Sequence, residues 1–139
     1  MPAVRAAKVV ILDKKGNALL LRRSGTHPRS PHRPDLPGGI IEDGESFEVG
    51  ACREIQEETG FTIDPKSLRL IYKIEHDFFG TTVYRLVYAV RLDEVTPKVA
   101  ISWEHDQYDW VLLAELKNLE RPYQMGVDYA TKHDLWKDV

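Results

Sequence analysis

Apolar and polar positions alternate between two kinds of segment along this chain. Val4 to Leu12 (VRAAKVVIL) and Ala18 to Arg23 (ALLLRR) are short apolar runs of the kind that form strands. Between them, Asp13-Lys14-Lys15-Gly16-Asn17 holds two residues that tolerate positive φ, so the runs are expected to form a hairpin. Arg69 to His76 and Thr81 to Leu92 are rich in β-branched and aromatic residues around Phe79-Gly80 and predict a second hairpin. Tyr108 to Leu113 (YDWVLL) predicts a further strand. Ser46 as N-cap and Gly60 as C′ residue bracket a helix over Phe47 to Thr59. Asp64-Pro65-Lys66 reads as a turn, Ala114 to Leu119 as a short helical turn, and Pro122 to Trp136 as a closing helix in spite of Gly126. Ser24 to Pro37 holds Pro28, Pro31, Pro34 and Pro37, which deprive the backbone of donors, so it reads as one long loop. Long ordered loops in compact domains are often functional. Strands on both sides of a central helix, with a second helix at the end, argue for a layered α/β (α+β) domain across residues 1–139.

Composition narrows the class. The chain has 139 residues, 42% hydrophobic and 29% charged, and a formal net charge of −3, so no global positive charge favours duplex nucleic acid. No run approaches the roughly 20 apolar residues that span a bilayer, so no membrane partner is expected. The opening MPAVRAAKVVILDKKG lacks the cleavage pattern of a secretory signal, which makes the cytoplasm the expected compartment. Cys52 is the single cysteine and excludes an intrachain disulfide or a Cys-rich zinc site. A mildly acidic chain can still bind a polyanion where metal ions and a few local Arg or Lys residues screen it.

The central helix carries the chemistry. Each helical residue turns about 100°, so Glu54, Glu57 and Glu58 (i, i+3, i+4) share one side, while Ala51, Cys52 and Ile55 fall on an adjoining arc that can face a core. Like charges at this spacing cost a few tenths of a kcal/mol per pair. Arg53 can offset one of them, pairing with Glu57 or Glu45, and a divalent cation can offset the rest. Carboxylate oxygens suit Mg²⁺ or Mn²⁺. A bare EIQEE string also fits a solvated acidic face, so the flanking residues decide.

Those flanks resemble a known family. Gly39, Glu45, Arg53, Glu54, Ile55, Glu57, Glu58, Gly60 and Phe61 fill every fixed position of the Nudix box, G-x5-E-x7-R-E-U-x-E-E-x-G-U, over residues 39–61. Phe61 is aromatic where aliphatic residues are commoner, and Leu36-Pro37-Gly38 resembles the family's lead-in. The resemblance implies the Nudix fold, a mixed β-sheet between helices in three α/β/α layers. It implies Mg²⁺-dependent hydrolysis, with Mn²⁺ as a possible substitute, of a diphosphate linkage in a nucleoside diphosphate derivative or triphosphate. By the same resemblance Glu57 and Glu58 are the principal metal ligands and Glu54 is a ligand or the base. The Gly38 carbonyl is a further ligand, Arg53 orients the carboxylates, and Glu45 is its partner. Gly38 and Gly39 lack a Cβ and let the backbone approach metal or phosphate closely.

Outside the box, Glu104 in Trp103-Glu104-His105-Asp106 lies six residues before Trp110, an offset at which some family members place a base or metal ligand. His105 and Asp106 are weaker candidates, since a lone loop His is usually solvated. Arg22 or Arg23 can meet substrate phosphate, but strand alternation points them to opposite faces, so one at most enters the site. Arg29, His32 and Arg33 sit in the loop with no fixed direction. Tyr72, Tyr84, Tyr88 and Trp110 are more often core than base-stacking residues. The expected partner is a small nucleotide or diphosphate, bound by a monomer or homodimer. Two alternatives are a catalytically silent nucleotide-binding module and an isoprenyl-diphosphate isomerase. The first typically lacks box carboxylates, and the second needs an active-site Cys, whereas Cys52 points toward the apolar arc.

Overall fold

The computed structural model describes residues 3–139; Met1 and Pro2, which open the segment lacking a signal pattern, lie outside the described residues. The chain runs β1 (Val4–Leu12), β2 (Ala18–Arg23), β3 (Pro34–Asp35), β4 (Gly38–Ile40), α1 (Phe47–Thr59), β5 (Arg69–Phe78), β6 (Thr81–Arg91), β7 (His105–Val111) and α2 (Arg121–Lys132). Short 3₁₀ turns follow at Pro65–Ser67, Leu113–Glu115 and Leu135–Asp138.

β1 organises the sheet. One edge runs parallel to β6 in unbroken register, from Val4 opposite Val83 to Leu12 opposite Arg91. The other edge is divided. β2 pairs with it only at Leu12–Ala18, where Asp13 accepts from the Lys15 and Asn17 amides and fixes the turn. β4 takes Ala6 to Lys8, and the Val9 amide donates to the Pro37 carbonyl at 2.8 Å. The expected first hairpin is therefore closed only at its turn. Beyond that point β2 leaves β1 to pair with β7 and β3. The second hairpin, β5 with β6, forms as expected through Phe79 (φ 49°) and Gly80 (φ 80°).

Alternation along β1 sends side chains to two cores. Ala7, Val9 and Ile11 pack with Ala51, Cys52 and Ile55 of α1. Val10 and Leu12 pack with Tyr123, Val127 and Ala130 of α2 and with Trp136. Helices thus cover both sheet faces, and the apolar arc read on α1 is the one that is buried. Each fully buried side chain such as Ile55 contributes about 1.5–3 kcal/mol over leaving it in water. Ser46 caps α1 by accepting from the Val49 amide, and Gly60 ends it in the left-handed region.

Several elements and boundaries differ from the sequence reading. The proline-rich stretch contains β3, and Gly38–Ile40 is a strand, because short segments lying against β2 and β1 take their hydrogen bonds from those neighbours without a hydrophobic period of their own. The last strand begins at His105 rather than Tyr108 and ends at Val111. The closing helix stops at Lys132, and Trp136 belongs to a separate 3₁₀ turn. Among the described residues, no helix is long and apolar enough to cross a membrane.

Candidate active site

The divided edge of β1 leaves a cleft of about 220 Å³ whose lining includes Lys8, Arg23, Gly38, Glu54, Arg85 and Glu104. β4 crosses β1 so closely that a Cβ on Gly38 (φ 131°) would lie 2.2 Å from the Ala7 carbonyl oxygen. A Cβ on Gly39 would lie 2.8 Å from the Glu54 carboxyl carbon. Glycine at both positions is what lets backbone, sheet and acidic helix meet here.

Arg53 organises the outer part of α1. Its Nε and Nη2 hold Glu45 in a two-pronged pair at 2.8 and 3.0 Å, and its Nη1 reaches Glu54 at 3.2 Å and Glu57 at 3.4 Å. The sequence offered Glu45 or Glu57 as its partner, and it reaches both. The Arg53 hydrogen bonds, joined by the Glu42 amide, hold the Glu45 carboxyl down at about 2. Glu54 is shifted the other way. Burial raises its pKa, the charges of Glu57 and Glu104 add to this, and Arg53 only partly opposes it. Glu58 points inward. The Gly38 amide donates to its Oε1 at 2.7 Å, and Oε2 lies 3.8 Å from His105 Nδ1. Burial pushes the Glu58 carboxyl up to about 8 against the pull of Lys8 and the Gly38 amide. The three glutamates on one helical side thus differ sharply, with side chains 55% (Glu57), 16% (Glu54) and 2% (Glu58) exposed.

Behind Glu58 lies a buried polar cluster centred on Asp35. Its carboxylate accepts from Lys8 Nζ at 3.2 and 3.4 Å, Arg23 Nε at 3.3 Å and the Leu36 amide at 3.0 Å. His105 Nε2 lies 3.0 Å away. Burial works against the Asp35 anion, but Lys8, the His105 hydrogen bond and Arg23 together hold its carboxyl well below the usual range. Burial likewise opposes the Lys8 ammonium, and Asp35 and Glu58 outweigh it and raise its pKa. Since Asp35 is an acceptor, a neutral His105 carries its proton on Nε2 and turns an unprotonated Nδ1 toward Glu58. That Nδ1 is buried without a hydrogen-bond partner.

His105 corrects the sequence reading, which took it for a solvated loop residue. It is 3% exposed and opens β7, where an irregularity in the pairing with Arg22 and Arg23 turns it inward. Of the two strand-end arginines, Arg23 is buried in the cleft wall, and Arg22 faces outward to Asp106 at 2.9 Å. Glu104 lines the cleft with its carboxylate 3.6 Å from His27. Sequence reasoning missed Lys8, Asp35 and Arg85. For Lys8 a signal existed, a lone cation inside the run VRAAKVVIL; Asp35 and Arg85 carried none.

Glu54, Glu57, Glu58 and Glu104 offer only carboxylate oxygens, a donor set that fits a hard divalent cation. Among the described residues no three acidic, His or Cys side chains converge into a ready ligand cluster. Water or substrate oxygens would complete the coordination, as Mg²⁺ usually requires. Cys52 is buried against the sheet, and burial pushes its thiol up to about 11, which removes it from the chemistry of the cleft.

A profile of the NUDIX domain matches residues 2–130. The 8-oxo-dGTP diphosphatase of Escherichia coli is 34% identical over 70 residues, half of this chain and 53% of that protein. The ADP-ribose pyrophosphatase of Methanocaldococcus jannaschii is 39% identical over 62 residues, 45% of this chain and 36% of that protein. The matched stretches span about half the length, or less, of these relatives. Among solved structures, a MutT protein from Methanosarcina mazei superposes with a TM-score of 0.78 at 27% identity, over 96% of both chains. This chain belongs to the Nudix family, and its fold is the Nudix fold.

Proposed function

We propose that this protein is a Nudix hydrolase that uses a divalent cation, Mg²⁺ by preference, to cut a diphosphate linkage in a small nucleotide derivative. The observation that carries the reading is the meeting of Glu54 and Glu104 with the Gly38-Gly39 backbone and Arg23 around one cleft, with Glu58 held directly behind it by the Gly38 amide. An acidic helix with no such purpose would turn all its carboxylates to water, yet Glu58 is 2% exposed.

Glu57 and Glu58 are the principal metal holders in this reading, with Glu54 and Glu104 as further ligands or as the base. The bound cation would supply charge neutralisation on phosphate and a lower pKa for water. The protein's own work is positioning and electrostatics. Arg53, locked by Glu45, bridges Glu54 and Glu57 through its Nη1 and offsets their mutual repulsion. Glu54, its pKa raised by burial, is poised to take a proton from an attacking water. Arg23 and the Gly39 backbone line the cleft and are the groups assigned to substrate phosphate, whereas Arg22 lies outside the cleft lining and pairs with Asp106. The relatives named above act on an oxidised nucleoside triphosphate and on ADP-ribose. What these share is a nucleoside diphosphate unit, and that unit is the substrate class proposed.

The test is phosphate release from a panel of nucleoside triphosphates, dinucleoside polyphosphates, ADP-ribose and nucleotide sugars, with and without Mg²⁺. Glu57→Gln and Glu58→Gln are each expected to lower kcat at least about 10²-fold. Activity that survives EDTA, or that persists in both folded variants, would defeat the reading. Between Glu54→Gln and Glu104→Gln, the base is the one whose loss costs about 10²-fold or more in kcat.

A further inference from the structure

β5 is the outermost strand of its side of the sheet. It pairs with β6 along one edge, and among the described residues no strand pairs with the other. An open edge of this length is a template for a further strand. A bulge at Ile71 interrupts β5 near its start, and from Tyr72 to Phe78 its pairing with β6 is regular. Two apolar features stand at opposite ends of this edge. At the far end Phe78 and Phe79 stack edge to face with ring centroids 4.7 Å apart, and they are 60% and 92% exposed. Neither packs into either core. At the near end Leu70, Ile71, Tyr72 and Lys73, with Tyr129 of α2, line an open groove of about 350 Å³.

The charges between these ends are arranged about Ile74. Lys73 precedes it and Glu75 follows, and alternation puts both on one face, beside Leu86 and Tyr84 of β6. A second β5 running antiparallel, with Ile74 opposite Ile74, would set each Lys73 against the Glu75 of the other copy. Centring the pair on Lys73 or on Glu75 instead would oppose like charges, which destabilises. In the Ile74 register the aromatic pair of each copy also extends past Tyr72 of the other, over its groove. The edge is thus complementary to itself in both charge and shape, as a twofold interface requires.

We propose that the outer edge of β5 is a homodimer interface, on which two copies of this chain join antiparallel about Ile74 into one continuous sheet. Main-chain hydrogen bonds hold the edges together, the two Lys73–Glu75 pairs fix the register, and Phe78 and Phe79 fill the opposite groove. None of these residues lines the cleft, so the proposal stands apart from the hydrolase reading.

The experiment is sedimentation equilibrium of the full chain from low to high micromolar concentration. The wild type is expected to dimerise, and Lys73→Glu and Glu75→Lys each to remain monomeric where the wild type is dimeric. An equimolar mixture of the two variants is expected to dimerise again, because one chain is then acidic at both positions and the other basic. Phe78→Ser is expected to weaken the dimer at least about tenfold. A wild type that stays monomeric overturns the proposal. So does a dimer that both charge variants leave intact, or a mixture that stays monomeric. Should a variant fail to fold, hydrogen exchange of the wild type decides. Slowing at high concentration confined to amides of residues 70–79 and the groove supports the interface, and β5 amides that exchange equally fast at both concentrations overturn it.

Discussion

Two charged regions meet at Glu58, and they are built on opposite terms. The outer face of α1 carries Arg53 with Glu45, Glu54 and Glu57, side chains that keep some contact with water. The inner cluster of Lys8, Arg23, Asp35 and His105 has side chains no more than 9% exposed. Outside, a lost partner can be replaced by solvent, so the arrangement serves orientation more than stability. Inside, nothing replaces a lost partner, so the same kind of pair becomes a condition for folding. In the function proposed, the outer region serves the chemistry and the inner one holds the frame against which it is aimed.

The largest expected effect tests the inner region. Asp35→Leu leaves Lys8 and Arg23 buried without their counter-ion and is expected to cost about 3–5 kcal/mol in urea unfolding. That is a large share of the roughly 5–15 kcal/mol by which domains of this kind are stable. Glu57→Gln, on the outer face, is expected to leave the unfolding midpoint close to wild type. Equal stability losses in the two variants would erase the distinction between the regions.

Asp35 of the inner region and Glu58 at the junction also predict opposite responses to pH, with a smaller effect. Asp35 has its pKa depressed on folding, so its contribution is present above its unfolded value and is lost as pH falls toward the folded one. Glu58 has its pKa raised to about 8, so its contribution is complete below its unfolded value near 4.5 and is lost as pH rises through about 8. In EDTA the thermal midpoint is therefore expected to decline from about pH 5 to 8, and Glu58→Gln to flatten that decline. A cation held as proposed would bind the carboxylate form, so added Mg²⁺ is expected to stabilise more at the upper end of this window. An unchanged decline in the Glu58→Gln protein would remove Glu58 as its source.

The same division explains what could be read in the sequence. The outer region lies on one helix, where a fixed rotation per residue turns the spacing of Glu54, Glu57 and Glu58 into a shared side. The covered arc of Ala51, Cys52 and Ile55 followed from the same rotation. The inner region draws Lys8 from β1, Arg23 from β2, Asp35 from β3 and His105 from β7. No local period links four strands, so only the sheet topology could bring these side chains together. β3 and β4 were missed for a related reason. They are two and three residues long and owe their extended form to the strands beside them rather than to their own composition.

The smallest expected effect concerns the boundary of the site. Arg22 and Arg23 are adjacent on β2, and alternation sends one outward and one inward. Arg22 meets Asp106 at 2.9 Å with both side chains well exposed, 48% and 37%. Water screens such a pair, so Arg22→Ala is expected to leave the urea midpoint, kcat and KM near wild type. Arg23→Ala is expected to raise KM and to destabilise, since it removes a buried donor from Asp35. A several-fold rise in KM for Arg22→Ala, with the midpoint unchanged, would mean that substrate reaches round the end of β2 to its outer face. The cleft would then be only part of the binding surface, and the side of β2 facing Asp106 would have to be counted with it.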